Sequence, residues 1–184
     1  NLVHRACSLL AWSARVSPQV EMDLEKGIPT QAGLGGGSSD AAACLVALNE
    51  LWELDWPLDR LCEVGAVLGS DVNFFLHGPL AVCTGRGERV RPLGLRWDFH
   101  AAILQPASGL ATARVYRHHR ASDPHCFGLA GDLARRLGGL KPSEAARHLQ
   151  NDLERPAFRS SPALGELRQR IEAAAGVPVR LSGS

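Results

Sequence analysis

The residues best suited to chemistry lie between Pro29 and Ala43, in the run PTQAGLGGGSSDAAA. Gly33, Gly35, Gly36 and Gly37 precede Ser38 and Ser39, and the helix-forming stretch AAACLVALNELWEL follows. Glycine lacks a Cβ and enters the left-handed region freely, so such a loop can fold closely around a ligand. A helix opening at Ser38 or Ser39 would offer that loop its unsatisfied N–H groups and the positive end of its dipole. Loop and helix terminus together make an anion site, best suited to nucleotide phosphates. The run is not a Walker loop, because no lysine follows the glycines, and it is not G-x-G-x-x-G. The plain alternative is a glycine-rich turn with a serine cap. Three successive glycines weigh against it, since each costs about 0.5–1 kcal/mol of chain entropy and a turn needs only one.

Asp71 is the second candidate. In GSDVNFFLHG (Gly69–Gly78) it is, taken alone, an ordinary turn or cap residue. A carboxylate between an anion loop and an apolar segment could also accept a hydroxyl proton during phosphoryl transfer. Arg86, Arg89, Arg91 and Arg96 read first as a solvated strand face, and second as help in holding an anionic ligand. His118, His119, His125 and Cys126 lack the spacing of C-x-x-C or H-E-x-x-H, which favours a solvated loop over a metal site. Ser38 and Ser39 are outside any G-x-S-x-G elbow, which argues against a hydrolase nucleophile. Cys7, Cys44, Cys62, Cys83 and Cys126 are odd in number and mostly set in apolar runs. They read as buried thiols of a reducing cytoplasm rather than disulfides or zinc ligands.

The elements that must position these residues follow from pattern. A chain of 184 residues with 45% apolar content can build one core or two small ones. Its net charge of +1 sets up no field for nucleic acid or anionic membrane, and no run has the length of a membrane span or reads as a signal peptide. Asn1 can cap a first helix with Leu2, Ala6, Leu9 and Leu10 near one face. Val20, Met22 and Leu24 alternate with polar residues as in a half-buried strand. The helix after the glycines carries Leu45, Leu48, Leu51 and Trp52 on a face suited to a sheet, with Asp40 in its first turn. Pro57 opens a helix through Leu58, Leu61, Cys62 and Val67 that stops at Gly69. Two strands, Leu80–Thr84 and Arg89–Leu93, flank a turn at Gly85–Gly87. Ala101–Leu104 reads as a buried strand and residues 111–119 as a short helix. Further helices start near Leu129, Ser143, Asn151 and Pro162, and Val177–Leu181 reads as a last strand. A domain boundary is expected near residue 97, giving domains 1–97 and 98–184. The start at Asn1 and the stop inside a strand and glycine turn suggest a fragment.

The order of these motifs resembles the GHMP kinase superfamily, whose second signature is P-x-x-x-G-L-G-S-S-A. The expanded G-L-G-G-G-S-S-D-A-A points to the branch acting on a cytidine diphosphate-linked methylerythritol in the non-mevalonate isoprenoid pathway. GSDVNFFLHG resembles G-A-D-V-P-F-F-x-x-G of that branch, with Asn73 where proline is usual. GRGE, ASGLATARVYR, NDLE (Asn151–Glu154) and the final LSGS also fit. The resemblance implies an α/β (α+β) fold, with a ribosomal-protein-like first domain and a ferredoxin-like second domain, both truncated. It implies a cytoplasmic kinase using ATP with Mg2+, and it assigns no metal ligands and no oligomeric state. Pro29, Thr30, Gln31, Ala32, Gly33, Leu34, Gly35, Gly36, Gly37, Ser38 and Ser39 would wrap the ATP phosphates. Asp71 would deprotonate the carbon-2 hydroxyl, and Thr112 and Tyr116 would lie near the cytidine, Tyr116 offering an aromatic face. The family's catalytic lysine and cytosine contacts precede a segment like this one. Neither Lys26 nor Lys141 sits in a matching motif, so the chain alone is expected to be weakly active at best. Another small-molecule GHMP kinase, or a nucleotide-binding module without chemistry, are the competing readings.

Overall fold

Asn1 does cap the first helix: its Oδ1 accepts the amide of Val3 at 3.0 Å, and α1 runs Leu2–Ala14. The computed structural model describes residues 1–30, 32–95, 100–106, 109–123, 136 and 139–183. Gln31, Arg96, Trp97, Ser108, His125, Cys126, Ser184 and the helix expected from Leu129 lie outside them. The chain forms two compact units, Asn1–Thr30 with Gly35–Arg96, and Gln31–Leu34 with Trp97–Ser184.

In the first unit, α2 spans Gly36–Leu51, α3 spans Leu58–Leu68 and α4 spans Val72–His77. Pro57 and Gly69 bound α3 as the sequence indicates. An antiparallel hairpin follows, β1 (Ala81–Thr84) with β2 (Arg89–Pro92), registered Ala81 to Pro92 and Thr84 to Arg89 around positive-φ Gly85 and Gly87. The core is helix on helix: Val3, Ala6, Cys7 and Leu10 of α1 meet Ala41, Ala42, Cys44, Leu45 and Leu48 of α2. Leu61, Val64, Leu68 and Val72 close it. The α2 face expected to lie on a sheet therefore packs on helices, and Leu51 (61% exposed) falls outside it. Val67, expected in the α3 face, is likewise solvent-facing. Asn49 ties the α2–α3 connection by giving Nδ2 to Trp56 O (3.2 Å) and accepting Trp56 N at Oδ1 (3.1 Å).

The expected strand at 20–24 is not formed. Met22 and Leu24 are exposed, and no described strand pairs with the segment. Alternation alone stabilises nothing without a neighbouring edge to complete the hydrogen bonds. The four described cysteines are free. Burial raises all their thiol pKa values, that of Cys44 to about 11, so none is an activated nucleophile; Cys83 is exposed rather than buried as expected.

In the second unit, α5 (Thr112–Arg117), α6 (Pro142–Ala145, continued by a 3-10 turn Ala146–His148), α7 (Glu154–Ser160) and α8 (Pro162–Ala175) are joined by irregular chain. Two expected strands are not formed, since neither segment joins a ladder. Ala101–Leu104 is exposed, with Ile103 at 70%. Residues 177–181 are held by side chains instead: Glu172 Oε1 accepts Val179 N at 2.9 Å, Arg168 Nε donates to Val179 O at 3.1 Å, and Arg180 Nε donates to Leu149 O at 2.8 Å.

α5 is docked on α7 by Arg159, which pairs with buried Asp123 and donates from Nη2 to His118 O at 2.7 Å. Arg114 adds Nη2 to Ser160 O at 3.1 Å. The Arg159 hydrogen bond, then the Arg120 amide, lower the Asp123 pKa from 3.8 to about 2. The folded state therefore favours the ionised carboxylate. The stability this contributes is full above 3.8 and is lost as pH falls through about 2. Arg159→Gln is expected to flatten the acid side of the stability curve in that window, measured as the denaturant midpoint against pH. A curve with unchanged slope there would refute the coupling.

Candidate active site

The glycine run does not place a serine at the helix cap. Gly35, in the left-handed region at φ 67°, is the N-cap of α2, so the helix starts at Gly36, earlier than the serine start expected. The first i→i−4 bond is Ser39 N to Gly35 O at 2.9 Å, which leaves the amides of Gly36, Gly37 and Ser38 ahead of the helical ladder. Among the described residues no side chain caps them. Ser39 turns its hydroxyl back onto Gly36 O at 2.8 Å. The result is an uncapped terminus of a helix of 16 residues, approached by backbone without Cβ atoms, a fitting seat for a phosphate group. Asp40 consequently lies beyond the first turn, where its carboxylate pairs with Lys26.

Within the first unit this terminus and the Asp71 helix are adjacent. The ring of Phe75 on α4 lies against Gly35, its Cζ 2.5 Å from where a Cβ would stand, and Ile28 crowds Gly36 similarly at 2.9 Å. Asp71 is the N-cap residue of α4 and is exposed. Its Oδ1 accepts Ser70 Oγ at 3.0 Å and makes no capping bond, so the carboxylate is presented to solvent. Pro29 and Thr30 enter the loop exposed.

Asn73, where proline is usual in the resembling branch, is buried (3% exposed) and gives Nδ2 to Glu88 O at 2.9 Å. This ties α4 to the hairpin. Among the described residues its Oδ1 has no hydrogen-bond partner, and it rests on Gly65 of α3, where a Cβ would collide with it. In the sequence Asn73 stands out only as a residue where proline is usual, and no local pattern announces this bracing role. Gly65→Ala is expected to cost about 1–3 kcal/mol by overpacking. Chemical denaturation checks it, and an unchanged midpoint would show that α3 and α4 separate without strain.

In the second unit, Gly33 meets the C-terminal segment. Ser182 Oγ donates to Gly33 O at 2.8 Å. Gly33 (φ +69°) and Gly183 (φ +76°) approach so closely that a Cβ on Gly183 would stand 2.6 Å from Gly33 Cα. Thr112 opens α5, and Tyr116, 59% exposed, lies one turn on beside buried Val115. His118, weighed above as a metal ligand, uses Nδ1 toward Arg114 O at 2.9 Å, and among the described residues no group of three or more His, Cys, Asp or Glu side chains could hold a metal.

Over residues 1–79 this chain matches the GHMP kinases N terminal domain family. More particularly, it is 41% identical over 177 residues to 4-diphosphocytidyl-2-C-methyl-D-erythritol kinase of Nocardia farcinica, covering 94% of this chain and 57% of the relative. The kinase of the same name from Rhodococcus jostii is 40% identical over 188 residues, covering all of this chain and 60% of that one. A crystal structure of 4-(cytidine 5'-diphospho)-2C-methyl-D-erythritol kinase superposes with a TM-score of 0.72 at 38% identity, over 100% of this chain and 66% of the other. The chain thus spans about three fifths of the length of the curated relatives it matches. The mixed helix–strand class and the family resemblance both hold; no described helix is long and apolar enough to cross a membrane.

Proposed function

We propose that this chain carries the nucleotide-binding core of an ATP-dependent kinase that phosphorylates the carbon-2 hydroxyl of 4-diphosphocytidyl-2-C-methyl-D-erythritol. The observation that carries the reading is the uncapped, glycine-built terminus of α2 with the Asp71 helix packed on it through Phe75 and Gly35. Residues 1–97 are the ATP-binding domain and 98–184 the second domain, and the protein works in the cytoplasm.

In this reading the amides of Gly36, Gly37 and Ser38 hold phosphate oxygens, and their dipole offsets charge developing on the transferred group. Asp71 accepts the proton of the substrate hydroxyl. The oxygen forms its bond to the γ-phosphorus as the bond to the bridging β–γ oxygen breaks, and ADP leaves with that electron pair. Thr112 and Tyr116 orient the cytidine end, Tyr116 by stacking. Magnesium would come bound to the nucleotide phosphates, with no side chain of this chain assigned to it, and would neutralise their charge.

ADP release in the full open reading frame, assayed with ATP and a panel of alcohols, tests the reading. Turnover is expected with the cytidine diphosphate-linked methylerythritol and not with homoserine, mevalonate or galactose. Equal turnover with one of those would assign a different GHMP kinase. ATP binding with no turnover on any alcohol would leave a nucleotide-binding module without chemistry.

A further inference from the structure

Asn151 lies outside the glycine loop and outside the Asp71 helix, in the turn that leads into α7. Its Nδ2 donates to two carbonyls of the C-terminal segment, Leu181 O at 3.0 Å and Gly183 O at 2.7 Å. Its Oδ1 accepts the amide of Leu153 at 2.9 Å. Both amide hydrogens and the oxygen are thereby used, and the reverse orientation would set an oxygen against two carbonyls. Glu154, at the start of α7, accepts Leu181 N at 2.8 Å through Oε1. The segment gripped in this way is the one that reaches the loop, through Ser182 Oγ to Gly33 O at 2.8 Å and through the Gly33–Gly183 contact. No strand ladder holds residues 177–183, so side chains set its position.

We propose that Asn151 is a positioning residue for the phosphate loop. It fixes Leu181–Gly183, and that segment in turn holds the Gly33 carbonyl and keeps Ala32–Leu34 in the conformation that aims the loop at the nucleotide. The nucleotide half of this inference rests on the ATP-binding reading above; the mechanical half does not. Among the described residues, the hydrogen bonds of Asn151 go to Leu181, Gly183 and Leu153 and not to the loop itself.

Amide hydrogen exchange on the ligand-free protein isolates the mechanical half. Asn151→Ala is expected to speed exchange about tenfold across Ala32–Leu34 and Leu181–Gly183, the effect of losing a pair of hydrogen bonds, with α8 unchanged. Ser182→Ala, which breaks only the last link, should speed exchange at Ala32–Leu34 alone. The double variant should be no faster at Ala32–Leu34 than Asn151→Ala, because the two residues act in series. In the active enzyme, Asn151→Ala should raise the KM for ATP about tenfold and leave the KM for the alcohol unchanged. Unchanged exchange at Ala32–Leu34 in Asn151→Ala, or additive effects in the double variant, would overturn the inference. If the parent protein binds no ATP, the kinase reading fails while the exchange data still decide the latch.

Discussion

Asp71→Asn is expected to lower turnover by about 10²–10⁴-fold, the usual contribution of a positioned general base, while ATP binding stays essentially unchanged. The substitution is nearly isosteric and removes the carboxylate's charge together with its ability to take a proton. Its structural cost is small, because the Asp71 side chain caps no amide of α4 and the hydrogen bond it accepts from Ser70 Oγ at 3.0 Å can also be accepted by an amide oxygen. A lowered rate would therefore report chemistry rather than unfolding. Steady-state kinetics with titrating calorimetry for ATP give both quantities from one preparation. Turnover within a factor of about three of the parent would be too small for a general base and would remove Asp71 from the role.

The parts of this molecule legible from sequence are those whose causes are local. Asn1, Pro57 and Gly69 bound helices because caps act over one turn, and Gly85 with Gly87 marks the hairpin because a tight turn needs left-handed residues. The segments at 20–24, 101–104 and 177–181 failed as strands for the converse reason. Their patterns state which side chains could share a face, but the edge that completes a ladder is chosen by the rest of the fold.

The start of α2 shows a subtler competition. Serine is among the preferred N-caps, yet Gly35 takes the left-handed φ of 67° that the incoming loop demands, and Ser39 spends its hydroxyl on Gly36 O. For a phosphate site this outcome leaves the terminus open where a serine cap would have filled it. In the sequence Asn151 stands out only as the first residue of the NDLE run. Its partners Leu181 and Gly183 are far along the chain, and no local pattern announces such a contact.

Gly33→Ala carries the second large expected effect, a loss of ATP affinity of about 30-fold, corresponding to about 2 kcal/mol. Two costs coincide at this residue. A Cβ at φ +69° occupies a region that L residues enter with strain, and the methyl group would stand inside the Ser182 carbonyl, with Gly183 Cα 3.1 Å away. Those neighbours are backbone atoms, already tied down through Asn151 and Glu154, so no side-chain rotation relieves the clash. The loop or the C-terminal segment must move, and either motion displaces Ala32–Leu34 from the conformation seen here. Gly27→Ala is the matched control. Gly27 also precedes the α2 terminus, but its φ is ordinary and nothing lies within 4 Å of its Cβ position, so the Gly27→Ala variant should bind ATP as the parent does. Equal affinity for the two variants would mean that the close Gly33–Gly183 approach has no part in shaping the nucleotide site.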